Sequence, residues 1–140
     1  MEFLGGPICC KGVFSTGLLM CLTPLDATNK LVWTSDEADK WEAFGTAEGK
    51  LAAEILRWDL NYLAEMYPEG AYLCDLMAAI NTTNPDLCQA ERVHVQVLTE
   101  SGGEKGRTVV LTNQPPNVTA ILTPRVEEVK IQAAKIFGIP

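Results

Sequence analysis

The sequence predicts an α/β fold with an open mixed sheet, helices packed against it and a C-terminal β-hairpin. A short, continuously apolar run at residues 18–22 is typical of a parallel strand that is covered on both faces. Residues 36–44 and 47–66 carry apolar side chains at helical spacing. Beyond residue 91 the spacing of apolar residues changes to two, which indicates strands. Together these patterns favour the α/β class.

The composition favours a single globular domain over residues 1–140. Hydrophobic residues make up 47% of the chain and charged residues 21%, as in ordinary folded proteins. The net charge of −7 argues against nucleic acid as a partner, because phosphate contacts need clustered basic side chains. Membrane insertion is not expected, because no apolar run approaches the roughly 20 residues of a membrane span. Without a basic N-terminal region, and with five cysteines that lack metal-ligand spacing, the chain is predicted to be cytoplasmic with reduced thiols.

The first part of the chain is predicted to contain one strand between two breaks. Glycine and proline at residues 5–7 indicate a break before a short stretch at residues 8–10. The strand at 18–22 follows, and residues 26–29 leave its C-terminal end, where ligands bind in open α/β sheets. Asp26 and Asn29 at this end are interpreted as turn and capping residues, because Asx side chains bond their own backbone there.

A first helix is predicted over residues 36–44. Ser35 offers an N-cap and is followed by acidic residues in the first turn. Trp41 and Phe44 are predicted to point inward, and Gly45 ends the helix.

A second, longer helix is predicted over residues 47–66. Its charged and polar residues recur at helical spacing on one face, which is predicted to be solvated: Glu54, Arg57, Asn61 and Glu65. The opposite, apolar and aromatic face is predicted to point inward: Leu51, Ile55, Trp58, Tyr62 and Met66. A proline and a glycine after residue 66 end the helix.

The C-terminal part is predicted to be helix, hairpin, strand and helix. A helix begins near Asp75 and stops before Pro85. Strands over 91–97 and 108–111 form an antiparallel hairpin across a glycine-rich connection. The last strand, 118–122, leads into a helix with Pro124 at its first position. The inward stripe of that helix is predicted to be Val126, Val129, Ala133 and Ile136.

Three short motifs point to a known family. They are Pro-Leu-Asp-Ala-Thr-Asn at 24–29, Leu-Cys-Asp-Leu at 73–76 and Gly-Arg-Thr-Val-Val at 106–110. In this order and spacing they resemble the C-terminal half of the nucleoside hydrolase family, the inosine-uridine preferring N-ribohydrolases. The likeness extends over about residues 11–137 and implies a partial nucleoside-hydrolase sheet. It also implies a role in hydrolysing the N-glycosidic bond of ribonucleosides.

The pair Cys74 and Asp75 aligns with a His-Asp or Trp-Asp pair of that family. In the family the aspartate is a ligand of the catalytic calcium ion, and the preceding ring acts on the leaving base. The resemblance therefore implies Asp75 as a metal ligand, whereas Cys74 departs from the family pattern. From the residues alone, an aspartate at this place more often caps the helix than binds a cation. Cys74 itself is interpreted as a small buried thiol.

The metal site that the resemblance implies is incomplete in these 140 residues. Calcium takes roughly six to eight oxygen ligands, so one carboxylate cannot hold it. The family supplies the others from an Asp-x-Asp-Pro-Gly-x-Asp-Asp cluster, which this sequence does not contain. The chain is therefore expected to be inactive alone or to need a partner chain that supplies the remaining ligands. Whether it is an enzyme stays open at this point.

Three aromatic residues are candidates for closing over a nucleoside. Family members place mobile aromatic side chains on the long helix, where this chain has Trp58 and Tyr62, and Tyr72 is similarly placed beyond it. The alternative is that Trp58 and Tyr62 are core or interface residues of an amphipathic helix.

Two other hypotheses remain. The first is a non-catalytic binding or oligomerisation module derived from the same fold, and a homodimer is expected because half of an open sheet exposes an edge and an apolar face. The second is an unrelated enzyme with Cys74 as nucleophile, which needs a nearby base. His94 is the only histidine, and in mid-strand it is interpreted as a solvated, outward side chain.

Overall fold

The computed structural model describes residues 6–139. These residues form six α-helices, one 3-10 helix and a four-stranded mixed sheet, which confirms the predicted α/β class. They cluster into two compact units. The first comprises the described part of Met1–Pro24 together with Ala90–Leu122, and the second comprises Leu25–Gln89 with the described part of Thr123–Pro140. None of the helices in this part of the chain is long and apolar enough to cross a membrane.

The sheet contains both parallel and antiparallel strand pairs. Its strands are β1 (Cys21–Leu22), β2 (Cys88–Val97), β3 (Thr108–Leu111) and β4 (Val118–Pro124). Their order across the sheet is β1-β4-β2-β3. β1 runs parallel to β4, with Cys21 opposite Thr119, and β2 runs antiparallel to β3, with His94 opposite Leu111. The predicted hairpin is confirmed, and Val95 and Val97 of β2 are buried as the alternation indicates.

The buried strand predicted over residues 18–22 is wrong in both length and burial. Only Cys21–Leu22 pairs as a strand. The side chain of Leu18 is 65% exposed and that of Leu19 is fully exposed. An apolar composition makes burial favourable, but it does not supply the element that covers the strand.

A helix that the sequence analysis did not predict follows the glycine-proline break. α1 (Pro7–Phe14) begins after Gly6, whose φ of 89° suits glycine, and proline is tolerated in the first turn because no helical hydrogen bond is lost there. Asn117 joins the end of this helix to β2. Its amide nitrogen donates to Phe14 O at 3.2 Å and to Val95 O at 2.9 Å, and its Oδ1 accepts from Val95 N–H at 2.8 Å.

The second unit contains the other helices. They are α2 (Leu25–Thr28), α3 (Ser35–Phe44), α4 (Ala47–Tyr62), α5 (Cys74–Thr83), the 3-10 helix (Pro85–Leu87) and α6 (Val126–Ile136). α3 packs on α4, and α5 packs on both α2 and α6. α5 ends before Pro85 as predicted. Pro124 belongs to β4 rather than to α6, so the expected proline at the helix start is wrong.

α3 is capped at both ends, and aromatic side chains pack against it. Thr34, one residue earlier than predicted, is the N-cap: its N–H donates to Glu37 Oε2 at 2.9 Å, which forms a capping box. Gly45 ends the helix at φ 81° as predicted. Trp41 is 3% exposed and packs on the rings of Trp33 and Phe137, with centroid distances of 5.2 and 4.9 Å.

Two apolar residues predicted to be buried lie at helix ends and are exposed instead. Phe44, at the end of α3, is 53% exposed, and Ile136, at the end of α6, is also exposed. Val129 and Ala133 of α6 are buried as predicted. A terminal turn presents its side chains beyond the area that its neighbours cover, so helical spacing alone overestimates burial there.

α4 buries a different face from the predicted one. Its buried residues are Gly49, Ala53 and Leu56, and the helix ends at Tyr62 rather than at residue 66. A Cβ at Gly49 would lie 2.7 Å from Trp41 O. α3 therefore approaches α4 closely along small residues. The whole apolar face that was predicted to point inward is exposed: Leu51, Ile55, Trp58, Tyr62 and Met66.

Arg57 is drawn from the predicted solvated face into contact with α3. Its Nη2 lies 2.7 Å from Asp39 Oδ1 and 2.6 Å from Glu42 Oε2. Both carboxylates are exposed, so each pair contributes little stability by itself. The pairs place the Arg57 side chain between α4 and α3.

A mostly buried ion pair joins α3 to α6. Lys130 Nζ donates to Glu37 Oε1 at 2.7 Å, and Thr34 donates to the other carboxylate oxygen. Burial raises the pKa of Glu37, but the hydrogen bonds from Lys130 and Thr34 outweigh it and lower the pKa from 4.5 to about 2. Because this pKa is depressed in the folded state, the stabilisation is present above pH 4.5 and is lost as the pH falls towards 2.

Lys130→Met is expected to remove much of this stabilisation. The free energy of unfolding should fall by about 2–3 kcal/mol near neutral pH, because Glu37 keeps its charge without its partner. The free energy of unfolding is measured with urea at about pH 7 and about pH 3. Its difference between the two pH values should be smaller in the variant than in the wild type. Lys135→Met, in the last turn of the same helix, is the matched control. Equal pH dependence in wild type and Lys130→Met would contradict the assignment.

Candidate functional site

The first turn of α5 carries the acidic residue that the sequence singled out. The helix begins at Cys74 with Leu73 at the N-cap position, where no side chain caps the helix. Asp75 therefore lies inside the first turn and is not the N-cap, and its carboxylate is exposed. The positive end of the helix dipole favours a carboxylate at this place. The charge of Asp75 is thus available for an interaction outside the helix.

Asp75 opens onto a cavity of about 410 Å³. A second carboxylate, Asp59 of α4, lines the same cavity. The walls between the two acids are largely apolar and aromatic: Trp41, Ile55, Tyr72, Leu73 and Phe137. Such a cavity suits a ligand that combines a flat apolar part with hydroxyl groups, because the carboxylates accept hydrogen bonds.

Cys74 connects two of the sequence motifs. Its thiol donates to Thr28 Oγ1 at 3.5 Å, and Thr28 is almost completely buried in α2. The structure thus brings motif 24–29 into contact with the start of α5. Cys74 is half-buried, as a small packing residue would be, and a threonine hydroxyl is not a base that removes its proton. Asp26 and Asn29 are exposed around this short helix.

Tyr72 is held in place at the cavity. Its hydroxyl donates to Glu69, and its ring meets Tyr67 edge-on with a centroid distance of 5.1 Å. The hydrogen bond raises the pKa of Tyr72 and lowers that of Glu69. Tyr72 is therefore a wall of the cavity, and these two contacts hold its ring.

The loop before Tyr72 is anchored to Trp33. Ala71 N–H donates to Trp33 O at 2.8 Å, and Trp33 N–H donates to Ala71 O at 2.9 Å. Gly70, at φ 142°, makes this approach feasible, because a Cβ there would lie 2.4 Å from Trp33 O. A glycine at this position is what allows Tyr72 to reach the cavity.

Trp58 and Tyr62 form a stacked pair on the surface of α4. Their ring centroids lie 4.9 Å apart at 9°, and the side chains are 61% and 72% exposed. They are therefore not core residues of this chain, which leaves a place at an interface or beside a ligand as their predicted roles. Neither lines the cavity, whereas Ile55, about one turn earlier on the same helix, does.

Two residues of the site were not singled out as site residues from the sequence. Thr28 lies within motif 24–29, so its position in that motif is a usable signal. Asp59 follows Trp58 on α4 and carries no sequence signal, because only packing brings it to the cavity. His94, by contrast, lies half-buried in β2, where its Nδ1 is 2.7 Å from Pro115 O.

The described residues do not by themselves fit a calcium ion. Within residues 6–139, no group of three His, Cys, Asp or Glu side chains comes together to hold a metal. Asp75 and Asp59 line one cavity, but two carboxylates fall short of the roughly six to eight oxygen ligands that calcium takes. Further ligands would have to come from other residues.

Comparison with known proteins supports the resemblance. The family model described as inosine-uridine preferring nucleoside hydrolase matches residues 3–132. An uncharacterized protein of Schizosaccharomyces pombe, C1683.06c, is 30% identical over 122 residues, which are 84% of this chain and 39% of that protein. The pyrimidine-specific ribonucleoside hydrolase RihB of Escherichia coli UMN026 is 31% identical over 104 residues, 74% of this chain and 33% of the relative.

Solved structures agree on the fold. A purine-preferring ribonucleoside hydrolase from Gardnerella vaginalis superposes with a TM-score of 0.83 at 22% identity. The superposition includes 94% of this chain and 44% of the hydrolase chain. The plant nucleoside hydrolase PpNRh1 gives a TM-score of 0.86 at 20% identity. That superposition includes 96% of this chain and 46% of the plant chain. The chain thus spans less than half the length of each of these relatives.

Proposed function

The chain belongs to the inosine-uridine preferring nucleoside hydrolase family, and from this we propose that it forms one part of a nucleoside N-ribohydrolase site. On this proposal it is catalytically incomplete without a polypeptide segment that supplies the aspartate cluster. The observation that carries the proposal is the contact between Cys74 and Thr28, which unites two family motifs beside a cavity lined by Asp75.

The proposed ligand is a ribonucleoside. The aromatic and aliphatic walls of the cavity accept a flat base, and the carboxylates of Asp59 and Asp75 accept hydrogen bonds from ribose hydroxyls. Tyr72 is held beside them by Glu69 and Tyr67. Trp58 and Tyr62, stacked and exposed on α4, are proposed to contribute to closure over the bound ligand.

The reaction requires groups beyond those in the cavity. Hydrolysis breaks the bond between the sugar C1′ and the base nitrogen, adds a water oxygen to C1′ and returns a proton to the base, through an oxocarbenium-like transition state. Asp75 and Asp59 place negative charge where positive charge develops on the sugar. No ring precedes Asp75 to assist the leaving base, because Cys74 stands there with its thiol directed to Thr28. Activation of the water and assistance to the base are therefore proposed to come from another segment.

A non-catalytic binding module is the second candidate. It is favoured by Cys74, which stands where the family has a ring. A thiol there cannot assist the leaving base as that ring does, yet the cavity beside it stays open. A module of this kind binds nucleosides or partners but does not cleave. It differs from the first proposal in one observable: supplying an aspartate-cluster segment does not produce ribose release.

The first test is an assay of the purified chain alone. Ribose release from inosine, uridine and a nitrophenyl riboside is expected to equal the uncatalysed rate, with calcium and with chelator alike, because the described carboxylates do not complete a metal site. Calcium-dependent turnover by the isolated chain would contradict the proposed incompleteness. Nucleoside binding, measured in parallel by calorimetry, reports whether the cavity is used.

A further inference from the structure

The charge of the cavity beside Asp75 indicates the charge of its ligand. This is the cavity of about 410 Å³ in the second unit, which Asp59 and Asp75 line. We propose that it prefers ribonucleosides whose base is a cation, such as a purine nucleoside alkylated on a ring nitrogen. This inference rests on the proposed function and names the substrate class of the same site.

Two carboxylates give the cavity a negative charge that nothing in its walls compensates. None of the described residues that line it is basic. Asp59 is half-buried and Asp75 is exposed, and neither forms a salt bridge within residues 6–139. A cation in the cavity is therefore attracted to both. Because this attraction falls only as the inverse of distance, the charged ring does not need to touch either carboxylate, which leaves both able to accept hydrogen bonds from ribose hydroxyls.

Three aromatic side chains in the walls add a second attraction for a cation. Trp41, Tyr72 and Phe137 line the cavity. The face of an aromatic ring is electron-rich, and proteins use such rings to bind quaternary nitrogen cations. Trp41 and Phe137 hold each other edge-on with a centroid distance of 4.9 Å, and Tyr72 is held by Glu69. The walls are therefore ordered before a ligand binds, which lowers the entropic cost of binding.

The described walls of the cavity contain no group that is free to protonate a departing base. Among them, only Tyr72 and Cys74 carry a hydroxyl or a thiol. The hydroxyl of Tyr72 donates to Glu69, and the thiol of Cys74 donates to Thr28 Oγ1 at 3.5 Å. The bond to Glu69 raises the pKa of Tyr72, so its proton is harder to transfer. A neutral nucleoside therefore needs a proton from another segment, as proposed above.

A nucleoside with a cationic base removes the need for that proton. When the bond between C1′ and the ring nitrogen breaks, both of its electrons go to the nitrogen and cancel the positive charge of the ring. The base therefore leaves as a neutral molecule. Water adds its oxygen to C1′ and releases one proton, so the products are ribose, the neutral alkylated base and a proton. The other segment then has to activate the water only.

The experiment measures binding of three nucleosides to the 140-residue chain by calorimetry, with chelator present and at slightly acidic pH. N7-methylguanosine is a cation under these conditions, whereas guanosine is neutral. N1-methylguanosine carries the same methyl group without the charge, so it controls for the added apolar surface. N7-methylguanosine is expected to bind at least about fivefold more tightly than either neutral nucleoside.

Asp59→Asn assigns the preference to the cavity, because it removes one charge and keeps the size of the side chain. It should lower the ratio of the N7-methylguanosine and N1-methylguanosine affinities by about threefold. Glu54→Gln is the matched control: Glu54 is an exposed acid of the same helix that does not line the cavity, and the ratio should not change. The inference is overturned if the two methylated nucleosides bind alike, if none of the three binds, or if both variants keep the wild-type ratio.

The charge preference and the hydrolysis fail in distinguishable ways. The chain is also assayed for ribose release together with a family segment that carries the Asp-x-Asp-Pro-Gly-x-Asp-Asp cluster. Tighter binding of N7-methylguanosine without ribose release from any nucleoside supports the cation preference and refutes the proposed hydrolysis. Ribose release from inosine, by a chain that binds the two methylated nucleosides alike, preserves the proposed function and refutes the cation preference.

Discussion

Asp75→Ala is expected to lower kcat/KM for nucleoside cleavage at least about 100-fold in the complex of this chain with the aspartate-cluster segment. The carboxylate is exposed at the first turn of α5 and opens onto the cavity, so its loss removes a charge from the site and not from the fold. Ribose release from inosine and uridine measures the effect. Asp75→Asn, which keeps the size of the side chain and removes its charge, is expected to behave like alanine.

Asp36→Ala provides the matched control for this prediction. Asp36 is also an exposed aspartate in the first turn of a helix, α3, but it does not line the cavity. Its replacement should change kcat/KM by no more than roughly twofold. Stability measured by thermal unfolding should be similar in the two variants. Full activity in Asp75→Ala would remove this residue from the proposed site.

Trp41→Ala is expected to lower the free energy of unfolding by about 3–5 kcal/mol. Trp41 is nearly inaccessible and packs on Trp33 on one side and Phe137 on the other. Its removal leaves a cavity between α3 and the end of α6, elements that the Glu37–Lys130 ion pair also joins. Urea unfolding followed by circular dichroism measures the change, because a loss of this size shifts the midpoint clearly.

Phe44→Ala tests whether position or residue type causes that loss. Phe44 lies one turn after Trp41 on the same helix, but its side chain is 53% exposed. Its replacement should cost less than about 1 kcal/mol. If both variants lose the same stability, Phe44 is buried in solution and the assignment of the aromatic cluster to Trp41, Trp33 and Phe137 is wrong.

The exposed face of α4 has a consequence for the proposed site. Trp58 and Tyr62 stack on each other in solvent, although aromatic rings usually gain free energy from burial. Ile55 and Asp59, on the same helix, line the cavity, whereas the stacked pair does not. A role in closure therefore requires movement of these rings or of their helix towards Tyr72.

Local signals in the sequence were sufficient for elements that depend on near neighbours. Gly45 ends α3 because its left-handed φ costs glycine nothing, and Pro85 stops α5 because the residue before a proline avoids helical geometry. The alternation in β2 determines which of its side chains are buried, since successive side chains point to opposite faces. The family resemblance led to the prediction of Asp75 and Tyr72 as site residues, and both line one cavity.

Other features depended on contacts between distant residues. Asp59 lines the site only because α4 lies beside the loop that carries Tyr72, and nothing in its own neighbourhood in the chain indicates this. Thr28 became a site residue through its hydrogen bond with Cys74, 46 positions later. Such pairings require the folded chain.

The sequence by itself determined the α/β class, the hairpin, the ends of α3 and α5 and the family, because each rests on short-range geometry or on a motif of a few residues. Only the tertiary structure decided which apolar surfaces are buried. α4 has two faces that are able to pack, and close approach to Trp41 O selects the one with Gly49, leaving Trp58 and Tyr62 in solvent. Residues 18–22 are apolar enough for a core strand, yet Leu18 and Leu19 stay exposed. Burial is a property of two surfaces in contact, and a sequence pattern describes only one of them.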